Sequence, residues 1–293
     1  AVKAPLASRS LLLGADAANG RLVVAGERGH ILISDDRGAT WTQSDVPTRA
    51  TLTAVFFHDD ELGWAVGHDA VILRTTDGGS SWERVHWAPE DEAPLLDVWF
   101  ADATTGYAIG SYGSFYVTRD GGRSWSFEPI SEDDFHLNAI ASAGDGLLFI
   151  AAESGLAYRS EDDGESWTEL APDYVGSFFG VLPLGGDRML LFGLRGHLYR
   201  SEDAGETWTP VETGTIAMLN SGVRLEDGTV VIVGLGGVVL ISKDEGTSFE
   251  LHQQKDRSGI QKIVDAGDGS LLLVGESGVR MSSLGELGDG KGE

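Results

Sequence analysis

Six aspartates give this chain its first hint of chemistry: Asp36, Asp77, Asp120, Asp162, Asp203 and Asp244, separated by 41, 43, 42, 41 and 41 residues. Carboxylates in a regular series can serve a calcium site or the paired acid and base of a glycosidase. Three histidines, His30, His68 and His197, fall near equivalent turns, and imidazoles so placed can converge on zinc. Each aspartate, however, comes with its whole neighbourhood. The segments read SDDRGATW (34–41), TTDGGSSW (75–82), TRDGGRSW (118–125), SEDDGESW (160–167), SEDAGETW (201–208) and SKDEGTSF (242–249). The octet has turn chemistry: an aspartate to accept backbone amides, glycine for positive φ, a hydroxyl residue, and an aromatic ring to bury. Asp36 and Trp41, Asp77 and Trp82, Asp120 and Trp125, Asp162 and Trp167, Asp203 and Trp208, and Asp244 and Phe249 are therefore assigned to the scaffold. No catalytic residue, metal or cofactor is assigned.

The elements that carry the octets follow from one repeat. In the second, Leu52–Phe57, 63–66, 71–75 and 81–86 read as strands separated by turn residues, with no room for a helix. Four short strands in about 42 residues describe a propeller blade. A second signature precedes each octet: GERGHILI (26–33), GHDAVIL (67–73), GSYGSFYV (110–117), ESGLAYR (153–159), GLRGHLYR (193–200) and GLGGVVLI (234–241). It returns a seventh time, without its octet, as GESGVRMS (275–282). The reading is all-β: a seven-bladed β-propeller of four-stranded blades, with the octet turn between third and fourth strands. A single propeller is expected over 1–283 and a flexible tail over 284–293. Because the last repeat stops after its third strand, the N-terminal segment is expected to pair with it and close the ring.

Composition narrows the partners. With 46 acidic against 21 basic residues the formal charge is −25, which opposes a nucleic-acid backbone or an anionic membrane surface. No cysteine is available for a disulfide or a thiolate metal site. The longest apolar run, 229–241, is too short and too interrupted by glycine to span a bilayer. A start at Ala-Val-Lys fits a mature exported protein whose leader has been removed. The propeller is expected to be monomeric.

The octet matches the pattern Ser/Thr-x-Asp-x-Gly-x-Ser/Thr-Trp of the Asp-box, or BNR repeat, with Phe249 the one departure at the aromatic position. The fuller phrases ELGWAVGHDAVILRTTDGGSSWERV and TTGYAIGSYGSFYVTRDGGRSW resemble the photosynthesis system II stability and assembly factor family. That resemblance implies a non-catalytic, periplasmic or lumenal protein docking on a membrane protein complex. In a bacterium without photosynthesis the complex would be one such as an RND-type exporter. The alternative is a carbohydrate-directed protein, lectin-like or hydrolytic, because sialidases and xyloglucanases share the box. The Arg-Ile-Pro segment of sialidases is absent here, and sialidase propellers have six blades.

Strand order puts the second-to-third turns and the interblade linkers on the side opposite the octets. They vary from blade to blade, as a specific binding surface does. The expected binding residues are Arg28, His30, His68, Asp69, Tyr112, Glu153, Arg195 and His197 from the turns, with Arg49, Trp87, His136, Tyr174 and Arg257 from the linkers. Arginine and aromatic side chains dominate interface energetics. The acidic segments WAPEDEAP (87–94) and SEDD (131–134) add an expectation that a partner with basic loops is selected.

Overall fold

Short strands bounded by glycine and aspartate turns recur throughout the computed structural model, which describes residues 1–18 and 20–289. Six four-stranded antiparallel sheets cover 12–43, 52–86, 95–127, 137–170, 178–210 and 219–253, and a three-stranded sheet covers 260–283. The fold is a seven-bladed β-propeller, as the repeat count requires. In the second blade the strands are Leu52–Phe57, Gly63–Gly67, Ile72–Thr75 and Glu83–His86, within two residues of the sequence reading. Second strands such as Gly63–Gly67 and Val230–Gly234 are buried along their whole length, because both of their faces are covered. Fourth strands such as Ser126–Phe127 and Thr209–Pro210 are two exposed residues.

The chain forms two compact units. One gathers Ala1–Asp134 with Val264–Ser282, and the other gathers Phe135–Ile263 with the chain from Ser283. In the first unit Trp64 is fully buried and stacks on Phe100, with ring centroids 3.4 Å apart and planes at 10°. Ala54, Val66, Ile72, Leu95 and Val98 surround this pair. In the second unit Phe178, Leu191, Met189 and Phe149 form one cluster, and Phe192, Leu219, Ile232 and Leu240 belong to another.

The N-terminal segment departs from expectation. It does not add a fourth strand to the last sheet, which has three. Its 3-10 turn Ala7–Arg9 does reach that sheet: a Cβ on Gly278 would stand 2.1 Å from the Ser8 carbonyl. The preceding residues are drawn to the first blade instead. The Gln43 amide donates to the Val2 carbonyl at 3.0 Å and accepts from the Ala4 N–H at 2.8 Å. Lys3 donates to the Gln43 carbonyl and pairs with Asp45 at 3.0 Å. One side-chain amide thus satisfies two backbone groups, and Pro5 has no N–H to offer a ladder. Replacing Gln43 by alanine should free this segment at a cost of about 1 kcal/mol. Amide exchange at Ala4, whose N–H the Gln43 side chain accepts, would then rise several-fold, and unchanged protection would refute the tether.

The C-terminal expectation also changes. Where the sequence reading has a tail from residue 284, Leu284–Gly288 is helical. Ser283 and Glu286 form a reciprocal capping box, and Leu287 is fully buried. The end of the expected tail, 290–293, lies outside the described residues.

Candidate functional surfaces

The hydrogen bonds of the octet aspartate are the same in all six copies. In the third, Asp120 Oδ1 accepts from the Thr118 hydroxyl at 2.9 Å and the Ser124 N–H at 3.0 Å, and Oδ2 accepts from the Ser124 hydroxyl at 2.6 Å. The Thr118 oxygen in turn accepts from the Gly122 N–H at 2.9 Å. Asp36, Asp77, Asp162, Asp203 and Asp244 repeat this pattern within a few tenths of an ångström. The Trp41, Trp82 and Trp167 indoles donate to the glycine carbonyl three residues back at 3.0–3.1 Å.

Hydroxyls and amides stabilise the ionised carboxylate, so all six aspartates titrate below the ordinary carboxylate range. The Ser124 hydroxyl leads in holding Asp120 at about 2, and the Ser248 hydroxyl does the same for Asp244. At Asp77 burial works against the shift and the hydrogen bonds outweigh it. A general acid would need the opposite shift. These carboxylates hold turns.

The variable loops look different. In the first unit Arg28, Asp69 and Tyr112 occupy the tips of the second-to-third turns at φ 55–61°, a region that side chains other than glycine enter at a cost. Octet residues such as Arg37 also have positive φ, so strain alone does not mark function. Arg28, His68, Asp69 and Tyr112 are exposed. His30 is not: it is 4% exposed and its Nδ1 lies 3.1 Å from the Ser10 hydroxyl. Burial holds its pKa below the ordinary imidazole value. It packs the turn and cannot meet a partner.

Arg49, Asp69 and Trp87, predicted separately, come together with Arg84, Val46, Pro47 and Ala50 around a cleft of ≈650 Å³. The Arg84 guanidinium lies 4.4 Å over the Trp87 ring. Trp87 is half exposed, and neither arginine has a carboxylate partner among the described residues. A guanidinium stacked on an aromatic face keeps its edge free for an oxyanion or a carbonyl. Sequence reasoning missed Arg84 because it lies within the strand Glu83–His86, where a charged residue reads as solvated.

In the second unit His136 and Glu153 face each other: the His136 N–H donates to the Glu153 carboxylate at 3.2 Å and the Glu153 N–H donates to the His136 carbonyl at 3.0 Å. This pair ties a linker to a turn. Tyr174 is half buried, with its ring 4.7 Å from the His197 ring and its hydroxyl donating to the Leu194 carbonyl at 3.1 Å. Burial raises its pKa. Arg195, His197 and Arg257 are exposed. Val175 and Ile216, also missed, stand almost wholly in solvent in two linkers. Their signal was present in Tyr-Val-Gly-Ser and Gly-Thr-Ile-Ala, where an aliphatic residue interrupts turn chemistry. Among the described residues no three His, Asp or Glu side chains are grouped to hold a metal ion, and no helix is long and apolar enough to cross a membrane.

Comparison with known proteins places this geometry. The profile of the family described as "Photosynthesis system II assembly factor YCF48" matches residues 11–90 and 88–286. A "Photosystem II assembly lipoprotein Ycf48" from Nostoc sp. is 39% identical over 138 residues, 46% of this chain and 41% of the relative. A "Photosystem II assembly protein Ycf48" from Synechococcus sp. is 35% identical over 165 residues, 55% of this chain and 49% of the relative. The chain thus spans less than half the length of these curated relatives, which are assembly proteins by name. A solved structure titled "YCF48 bound to D1 peptide" superposes with a TM-score of 0.74 at 19% identity, covering 96% of this chain and 95% of that one. The match of the family profile over nearly all of the chain decides the matter: this protein belongs to the photosynthesis system II assembly factor YCF48 family.

Proposed function

We propose that this protein is a non-catalytic docking scaffold, acting outside the cytoplasm, that binds a membrane protein complex. The observation that carries the reading is the division between its two kinds of turn. Octet turns are alike in all six copies and spend both carboxylate oxygens on their own backbone and hydroxyls. The opposite turns and linkers present unlike residues, among them Arg28, His68, Asp69, Tyr112, Arg195, His197 and Arg257, and the Arg49–Arg84–Trp87 cleft. Rigid strands under variable loops make a recognition device. Membership of an assembly-factor family supports the same reading, as do the relative named a lipoprotein and the solved structure of YCF48 bound to a D1 peptide. The formal charge of −25 argues against nucleic acid as the partner.

Affinity capture from detergent-solubilised membranes tests the reading. The wild-type chain should retain an integral membrane protein complex. A bait with Arg49, Arg84 and Trp87 changed to alanine should retain about tenfold less, because arginine and tryptophan anchors carry most of an interface. Retention of soluble proteins alone, or release of sugar from sialosides or β-glucans by the purified chain, would overturn it.

A further inference from the structure

The last sheet is one strand shorter than its six neighbours. Its third strand, Gly278–Ser283, ends the hydrogen-bonded order, where every other sheet continues to a fourth. Burial changes with it. The third strands Ile31–Ser34, Ile72–Thr75 and Val238–Ser242 are buried along their whole length, whereas residues 279–283 are half-buried. This edge is also long. The fourth strands that end the other sheets have two to four residues and Gly278–Ser283 has six, although shortness is one way a sheet edge avoids partners.

The first blade has room beside this edge. Where the first blade meets the second, Ser44 and Val46 lead on from the fourth strand Thr42–Gln43. The Ser44 hydroxyl donates to the Gly79 carbonyl at 2.5 Å, and Val46 is buried in one cluster with Leu73 and Trp82. The first blade's counterparts of Leu73 and Trp82 are Leu32 and Trp41, which pack in one cluster with Val279 and Met281. With Ala4, Pro5 and Ala7 they line a cleft of ≈510 Å³. Neither flanking segment of the chain fills the fourth-strand position. Residues 2–4 are held by Gln43, and the chain after Ser283 turns into the helix Leu284–Gly288 with Leu287 buried.

We propose that Gly278–Ser283 accepts an extended segment of another polypeptide as the fourth strand of its sheet. The chain's own fourth strands specify the chemistry of that segment. Val85 and Leu170 each stand third after an octet tryptophan and pack on the following blade, Val85 with Val98 and Leu170 with Val181 and Met189. Glu83, Arg84, Thr168 and Glu169 before them are exposed. The partner segment therefore carries an aliphatic side chain for the Leu32–Trp41 cleft, preceded by polar residues that stay in water. Main-chain hydrogen bonds along the edge supply the affinity, and the aliphatic contact supplies the specificity. This interface is separate from the Arg49–Arg84–Trp87 cleft and from the docking function proposed above.

A synthetic peptide with the sequence of residues 165–171, ESWTELA, is the probe. Added to the full chain, it should bind and slow amide exchange within Gly278–Ser283 several-fold. The same peptide with Leu170→Asp should bind about tenfold or more weakly, because it loses the burial of one leucine. Absence of binding, equal affinity of the two peptides, or protection confined to other strands would overturn the proposal. A concentration-dependent dimer joined through Gly278–Ser283 would also overturn it, since a second copy would then be the occupant. So would protection of Gly278–Ser283 in the free chain equal to that of Val238–Ser242, since the chain would then close its own edge. Each of these outcomes leaves the capture of a membrane protein complex, and with it the docking function, to stand or fall on its own test.

Discussion

Replacing Trp64 by alanine should destabilise the protein by about 3–5 kcal/mol, the range for deleting a large aromatic side chain from a close-packed core. The indole is fully buried, stacks on Phe100, and is flanked by Phe56, whose ring centroid is 6.5 Å away. Gly122 leaves no slack: a Cβ there would stand 2.1 Å from the indole nitrogen. Most of the loss is cavity and not an orphaned hydrogen bond. The Gly121 carbonyl accepts from the indole at 3.3 Å but also from Arg74 Nε at 2.8 Å, and the second bond survives the substitution. Trp64→Phe should therefore retain much of the stability and lose about 1–2 kcal/mol through the smaller ring. Denaturant titration of the three proteins measures both values. If alanine and phenylalanine were equivalent, the polar contact and not the packing would be the source of stability.

Trp64 also shows what the amino-acid sequence made visible. Its strand, GWAVG, was recognisable from the turn residues on either side, and the repeat counted the blades without reference to any partner. The octets were legible because every copy must solve the same local problem: a turn, an aromatic plug and a set of amides. What the repeat could not reveal lay where the chain stops repeating. The tether by Gln43 depends on a side-chain amide meeting two backbone groups about forty residues away, and no local pattern announces it. The helix Leu284–Gly288 was hidden by its glycines, although Ser283 and Glu286 have the spacing of a capping box.

The expected binding residues divide for the same reason. Arg28, Asp69, Tyr112 and Arg195 stand exposed at turn tips, as expected of a turn that recurs with the repeat. His30 shares the motif, yet one turn-closing contact with Ser10 buries it. Arg84 escaped the sequence analysis because its stacking on Trp87 joins two residues across the end of the strand. The acidic linkers suggested selection of a basic partner, and the uncovered Val175 and Ile216 each share a linker with an exposed acid, Asp173 and Glu212. Exposure, which decides between these roles, is a property of packing and has no signature in residue type alone.

Acid should unfold the protein through its octets. Asp120 and Asp244 are held at about 2 in the folded chain. An aspartate in an unfolded chain titrates near about 3.9. Above that value both states carry the carboxylate, and the stabilisation from the turn hydrogen bonds is fully present. As pH falls below it the unfolded chain takes up protons first, so stability drops, and the loss is complete once pH passes the folded value. Asp36, Asp77, Asp162 and Asp203 shift in the same direction, so six groups act together in one window. The melting temperature should be flat from neutral pH to about 5 and fall steeply between about 4 and 2. Asp120→Asn replaces an acceptor with a group that must also donate, against the Ser124 hydroxyl and N–H that both donate to it. It should melt lower at pH 7 and lose less between pH 4 and 2 than wild type. Parallel pH profiles for the two proteins would mean that the octet carboxylates do not govern acid stability.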